Sequence, residues 1–310
     1  MAHFERGAVM RTASAEVRAG GKGIDVARVA HSLGKVAPLL VPVGELDSAQ
    51  FLKYLSEEGL QYTSTTYRGN IRVATMYHED HSSVVTIVNE EGPSITKREW
   101  ASYLDELERE MKSGEIVASM GSFPQGINEE EIAQLIETVH RHNNLIFFDT
   151  APHFLAWAIA HGADIVSPNL DEAESVISGG AEDFFAGEDA DGKARAQSAA
   201  LRLCELGVKV AIVHAGALGS ALAYKGKTIF VPAADVTVKS VVGAGDAMAA
   251  GFILKTEEQG GLSNLDAVDW KLSLQYGTAT AGASCELGRS GDVDPLRVEQ
   301  IFERIVTFSN

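Results

Sequence analysis

Two features of the chain predict a three-layer α/β fold with a mostly parallel central sheet. Short apolar runs alternate with amphipathic stretches along most of the 310 residues, and the β-rich texture that interrupts this rhythm is confined to one segment. The apolar runs are residues 36–43, 116–119, 146–149, 165–166 and 210–214. They lack polar alternation, as expected of strands covered on both faces. The stretches at 24–33, 49–58, 97–112, 129–142, 154–161 and 194–206 repeat apolar residues at helical spacing. Helices between strands are crossovers, so the sheet is read as parallel.

The segment 61–89 reads differently. Residues 62–67, 72–78 and 84–88 are rich in Thr, Tyr and Val, with turn residues at Gly69-Asn70 and at 80–83. The gaps are too short for crossover helices, so antiparallel hairpins are expected. Such an insert suits a small β-sheet lid or a dimerisation sheet. An edge extension without function is the alternative. Residues 179–192 are acidic and Gly-rich and read as an exposed loop. A buried helix is expected over 247–254 and a second long one over 265–284, with strand or extended chain at 236–242.

Composition narrows the function classes. The length is ample for a large core, and 45% hydrophobic with 22% charged residues is ordinary for a globular enzyme. The net charge of −17 disfavours nucleic acid and anionic membrane as partners, yet leaves anionic small substrates open. Cys204 and Cys285 form neither a disulfide framework nor a Cys-x-x-Cys pair, which points to a reducing cytoplasm. The first residues show no signal-peptide core, and no apolar run is long enough to span a bilayer. His140 and His142 lie two apart on a helix and point in different directions, so they do not chelate one metal.

Two Gly-rich turns carry the chemistry. Gly243-Ala244-Gly245-Asp246 precedes a helix, whose first amides and dipole favour an anion. Asp246 at that point is either a helix cap or a general base beside the anion site. The turn lacks the third glycine of a dinucleotide fingerprint and sits late in the chain. Gly20-Gly21-Lys22-Gly23 also leads into a helix. It is not a Walker A loop, because Gly23 stands where Ser or Thr is needed. With Lys22 and Asp25 it suits a polyol or a sugar phosphate; a tight turn with a solvated lysine is the alternative. Asn169 and Glu172, three apart, read on their own as a capping pattern at a helix start.

Taken together, Ala19-Gly20-Gly21-Lys22-Gly23-Ile24-Asp25-Val26-Ala27-Arg28, Ser167-Pro168-Asn169-Leu170-Asp171-Glu172 and Val242-Gly243-Ala244-Gly245-Asp246-Ala247 resemble the PfkB (ribokinase-like) carbohydrate kinases in order and spacing. Gly21-Lys22-Gly23-Ile24-x-Val26-Ala27-Arg28, Arg72 and Met120-Gly121-Ser122-Phe123-Pro124 resemble the 1-phosphofructokinase and tagatose-6-phosphate kinase branch. The resemblance implies a ribokinase-like α/β/α domain over 1–310, with a lid from about 3–19 and 61–95. It implies ATP and Mg²⁺ as cofactors and a ketohexose phosphate as substrate, fructose 1-phosphate first and tagatose 6-phosphate next. A kinase for an unphosphorylated sugar or nucleoside, and a non-catalytic pseudokinase, are the alternatives.

By the same resemblance Asp246 is the catalytic base, and Gly243, Ala244 and Gly245 form the anion hole. Gly20, Gly21 and Asp25 grip sugar hydroxyls, Lys22 and Arg72 meet a substrate phosphate, and Ser122 lies at the substrate. Ser167, Asn169, Gly216, Gly219 and Gly245 are implied for the nucleotide, Asn169 and Glu172 for the metal, and 279–288 for the adenine pocket. A homodimer through the lid is implied as well. Three departures are read from the same match. The family's opening core strand and its substrate aspartate have no counterpart, so a central strand is expected to be lacking. Asp25 replaces an asparagine, and Ser167 replaces the lysine of the phosphofructokinase branch.

Overall fold

The computed structural model describes residues 4–12, 14–79, 85–179, 191–260 and 264–308. The expected turn at 80–83 and most of the expected loop at 179–192 lie outside the described residues. Helix α1 (Lys22–Ser32) is followed by β1 (Leu39–Gly44), α2 (Ser48–Glu57) and β2 (Tyr62–Tyr67). Next come β3 (Ala74–His78), β4 (Val85–Asn89), α3 (Lys97–Glu110), β5 (Ile116–Met120), α4 (Glu129–Arg141), β6 (Leu145–Asp149) and α5 (Pro152–Ala160). The rest comprises β7 (Ile165–Val166), α6 (Leu170–Ile177), α7 (Gly192–Glu205), β8 (Val210–His214), β9 (Gly219–Tyr224), β10 (Lys227–Pro232), α8 (Ala244–Glu258), α9 (Trp270–Cys285) and α10 (Pro295–Phe308).

The main sheet has the order β10-β9-β8-β7-β6-β5. Strands β5 to β8 run parallel, and β9 and β10 close one side as antiparallel neighbours. Their alternating side chains divide the core into two layers. Ile146 and Phe148 of β6 pack with Ile132, Leu135, Val139, Leu155 and Leu203 from α4, α5 and α7. Phe147, between them in sequence, faces the opposite layer with Val29, Phe252, Leu274 and Val298 from α1, α8, α9 and α10. Phe147, Phe148 and Phe252 are fully buried, each worth roughly 1.5–3 kcal/mol of transfer free energy.

The β-rich segment is organised differently from the expectation. The pair β3–β4 is an antiparallel hairpin as expected, but β2 pairs in parallel with β1, Leu39 opposite Tyr62 through Gly44 opposite Tyr67. The reason is α2, which serves as the crossover of a βαβ unit, so the partner of β2 precedes it in sequence. Residues 62–67 therefore belong with β1, and the hairpin alone carries the antiparallel pairing of the segment 61–89. Among the described residues β5 pairs only with β6, and β1 only with β2. Among the described residues β1–β2 and the β5–β10 sheet are thus separate.

Residues 236–242 form no strand and bend at Lys239, and the second long helix starts at Trp270, after a short 3-10 turn at Leu265–Ala267. Among the described residues no helix is long and apolar enough to cross a membrane.

Candidate active site

The site is built where the parallel strands end. At the end of β5, the Gly121 amide donates to the Asp149 carbonyl at 2.7 Å, tying this turn to the last residue of β6. Beyond β7 lies buried Ser167, then Asn169, which caps α6. A reciprocal capping box holds that helix start: Asn169 Oδ1 accepts from the Glu172 amide at 2.9 Å, and Glu172 Oε2 accepts from the Asn169 amide at 3.0 Å. The last residue of β8, His214, is hydrogen-bonded to Ser167 Oγ at 2.7 Å through Nε2 and to Ser220 Oγ at 3.1 Å through Nδ1. Burial lowers the His214 pKa and favours the neutral ring, with Asp149 pulling the other way and Lys22 reinforcing the effect. Gly216 opens the short 3-10 turn that follows. Gly219 has φ +128°, and a side chain there would collide with the backbone of Val231 and Pro232.

The amino terminus of α8 faces this edge. Gly243 is its cap residue, left-handed at φ +81°, and a Cβ there would overlap the Ser290 side chain. By the geometry of a helix start, the Gly245 and Asp246 amides have no intrahelical acceptor. A Cβ at Gly245 would meet no atom within 4 Å, so the helix end is open to a close-lying ligand. Asp246 is 6% exposed and lies in the first turn of α8, past the cap residue Gly243. Among the described residues its carboxylate has no hydrogen-bond partner. The cap alternative is thereby removed. Burial first, then the charges of Asp25 and Asp149, push its pKa up to about 8, and Lys22 opposes them.

This carboxyl therefore predicts a pH profile. If Asp246 is the base, kcat/KM for the free enzyme rises with pH through a midpoint near about 8. The stability sign is opposite. The folded-state pKa is above the ordinary 3.8, so the group's contribution is present in acid and lost as pH rises towards about 8. A kcat/KM profile flat from pH 6 to 9 would remove Asp246 from that role.

Helix α1 supplies the other charges. Lys22, its first residue, places Nζ 2.6 Å from Asp149 Oδ1. Burial pulls the Lys22 pKa down, but the Asp149 charge and hydrogen bond, with Asp246 and Glu172, outweigh it and leave the ammonium strengthened. Asp25 is buried with both oxygens occupied: Arg28 donates to Oδ1 at 2.6 Å, and Ser290 to Oδ2 at 2.5 Å. Arg28 also binds Glu58 and the Ala19 carbonyl. The acid that replaces asparagine is thus compensated within its own helix by Arg28, rather than by Lys22 or Arg72.

The structure brings Lys22 within electrostatic reach of Asp149, Asp246 and Glu172, and Asp246 within reach of Asp25, Asp149 and Lys22. Ser167 and Asn169 adjoin through β7, and Gly216 and Gly219 through β8 and β9. Gly20 and Gly21 stand at the start of α1, and Ser122 is exposed just beyond β5. Arg72 is exposed on the segment entering β3; its stem lies over Gly92 and its charge acts on Tyr67. Sequence reasoning missed Asp149, His214, Glu58 and Ser290. Asp149 and His214 had a signal: each is a polar residue closing an apolar strand, where ligands of parallel sheets gather. Glu58 and Ser290 had none, since they meet Arg28 and Asp25 only through tertiary packing.

A glycine-rich helix start, a buried carboxyl without a hydrogen-bond partner and an ammonium within electrostatic reach gather near the ends of the parallel strands. The model of the pfkB family carbohydrate kinase matches residues 2–296, and the chain belongs to that family. It is an ATP-dependent carbohydrate kinase. The chain is 27% identical over 293 residues to 1-phosphofructokinase of Rhodobacter capsulatus, covering 94% of this chain and 86% of that protein. It is 25% identical over 267 residues to the ATP-dependent 6-phosphofructokinase isozyme 2 of Escherichia coli, covering 86% and 81%. Phosphofructokinase-2 from Escherichia coli, solved with substrates and products, shares the fold at a TM-score of 0.84 and 22% identity, over 98% of this chain and 93% of that one. Ribokinase from Thermotoga maritima shares it at 0.65 and 20% identity, over 97% and 93%. The ribokinase-like fold expected from the motifs is thereby established.

Proposed function

We propose that this kinase phosphorylates a ketohexose phosphate, with fructose 1-phosphate as the first candidate and tagatose 6-phosphate as the next. The observation that carries the reading is the Asp246 carboxyl, buried and unbonded in the first turn of α8, with the Lys22 ammonium acting on it. The names of the sequence relatives support the sugar-phosphate acceptor.

The reaction follows from these groups. Asp246 accepts the proton of the sugar hydroxyl while that oxygen forms a bond to the γ-phosphorus. The bond from γ-phosphorus to the bridging oxygen breaks, and ADP leaves with the electron pair. Amides at Gly243 and Gly245 would hold the charge on the phosphoryl group in flight, whereas the Ala244 amide, implied for the same hole, donates to the Val241 carbonyl at 3.2 Å. Ser167, Asn169, Gly216 and Gly219 line the nucleotide side, and Gly20, Gly21 and Ser122 the sugar side.

A magnesium ion fits the donor set on chemical grounds. Glu172 uses Oε2 in its capping box, which leaves Oε1 for a metal, and Asn169 is exposed beside it. Among the described residues no group of three or more acidic, His or Cys side chains could hold a metal. One carboxylate and one amide suit an ion held mostly by phosphate and water. Magnesium would supply charge neutralisation of the phosphates.

Arg72 is proposed to meet the acceptor's own phosphate. Arg72→Ala should raise KM for a phosphorylated ketose about 10- to 100-fold, the worth of one charged hydrogen bond, and leave KM for ATP unchanged. An unchanged KM for the sugar phosphate would favour a neutral sugar as acceptor. The hairpin β3–β4 exposes Met76, Ile87 and Val88, which supports pairing of two copies through the lid. The free thiols Cys204 and Cys285 suit a reducing cytoplasm.

A further inference from the structure

Asp149 has no role in the reaction as derived so far, yet it is among the most protected carboxylates of the site. It is 4% exposed at the end of β6, and its side chain has one partner among the described residues, the Lys22 ammonium at 2.6 Å. A buried carboxylate with a single cationic partner carries a desolvation cost that the attraction within the pair offsets only in good geometry. The surroundings of Lys22 show where this pair sits. Its ammonium is acted on by Asp149 from β6, Asp246 from α8 and Glu172 from α6. His214 of β8 also feels both members of the Lys22–Asp149 pair.

Asp246 marks the acceptor oxygen, and Glu172 marks the side where the nucleotide phosphates and their metal belong. A cation acted on by both is within electrostatic reach of the group that passes from one side to the other. It is therefore placed for the transferring phosphoryl group, rather than for a phosphate elsewhere on the sugar. A lysine ammonium has three donors, and Asp149 occupies one, leaving two to turn to the phosphoryl oxygens. Lysine on its own is a flexible point charge, so its position is set by what holds it.

We propose that Asp149 is a positioning residue: it anchors the Lys22 ammonium within reach of Asp246 and Glu172, so that Lys22 meets the phosphoryl group during transfer. This rests on the kinase reading above. Because the cation acts on charge that is greatest in the transition state, its loss falls on kcat. In Asp149→Asn, kcat at saturating ATP and sugar phosphate should fall about a hundredfold, with both KM values within about threefold of wild type. Lys22→Met should lose a similar factor. The double variant Lys22→Met/Asp149→Asn, which leaves no unpaired buried charge, should lose no more than either single one. Multiplied losses in the double variant, or a raised KM for the sugar phosphate with kcat kept, would overturn the proposal.

A second readout does not need turnover. In protein labelled at lysine Cε, the Lys22 resonance is the one absent from Lys22→Met. Its titration midpoint, raised above the ordinary 10.5 in wild type, should fall in Asp149→Asn, since burial then acts with less opposition. A midpoint that does not move would show that Asp149 does not fix the ammonium, and would overturn the proposal even in an active enzyme. Wild-type protein that turns over no sugar, yet shows the shift, would instead locate the failure in the kinase reading.

Discussion

Asp246→Asn is expected to lower kcat by a factor of about 10²–10⁴ while leaving ATP binding nearly intact. The change keeps the shape of the side chain and removes only its ability to take a proton. It also removes a carboxyl whose ionisation burial opposes, so the variant should be at least as stable as wild type at pH 8. Steady-state kinetics with calorimetric ATP titration checks both halves. Activity retained within tenfold would show that the acceptor proton goes elsewhere. Asp246→Ala should behave alike in kinetics, with a small added loss from the space left behind.

Arg28→Ala is expected to have the largest effect on stability. Arg28 is 5% exposed and neutralises Asp25, itself 8% exposed, while also binding Glu58 of α2 and the carbonyl of Ala19. Removing it leaves Asp25 with Ser290 as its remaining partner and a buried charge uncompensated. Breaking a buried pair from one side costs about 3–5 kcal/mol, a large share of a typical net stability of about 5–15 kcal/mol. Urea unfolding checks the value. Asp25→Asn in the same background should recover part of the loss, because it takes away the stranded charge. A loss below about 1 kcal/mol in Arg28→Ala would mean that Asp25 is hydrated or protonated in the fold.

The two effects separate what the sequence shows from what it conceals. The helix start at Gly243–Asp246 is legible because its chemistry is local: small residues, a turn and an acid within four positions. The same holds for Gly20–Asp25 and for Asn169 with Glu172. The parallel strands β5 to β8 are legible as apolar runs. The hairpin β9–β10 is not, although its two-residue turn at Lys225-Gly226 has φ of +47° and +74°, the pattern of a type I′ turn. Lysine in the first of those positions gives little warning of a left-handed backbone. Strand β2 was read as part of a hairpin because its composition resembles β3, whereas its pairing is decided by the crossover helix α2. The fate of Asp25 was equally hidden. Arg28 is one helical turn away and readable, but Ser290 arrives from 265 positions further along the chain. The Lys22–Asp149 contact, 127 positions apart, is likewise a product of the fold.

The most direct test is turnover. Purified protein with ATP and Mg²⁺ should be assayed against fructose 1-phosphate, fructose 6-phosphate, tagatose 6-phosphate, fructose and ribose. The prediction is ADP release coupled one to one with a bisphosphate product from a single phosphorylated ketose, fructose 1-phosphate first. Release of ADP with none of the five, from protein that is folded and binds ATP, would contradict the assignment of Asp246 as the base of a sugar-phosphate kinase.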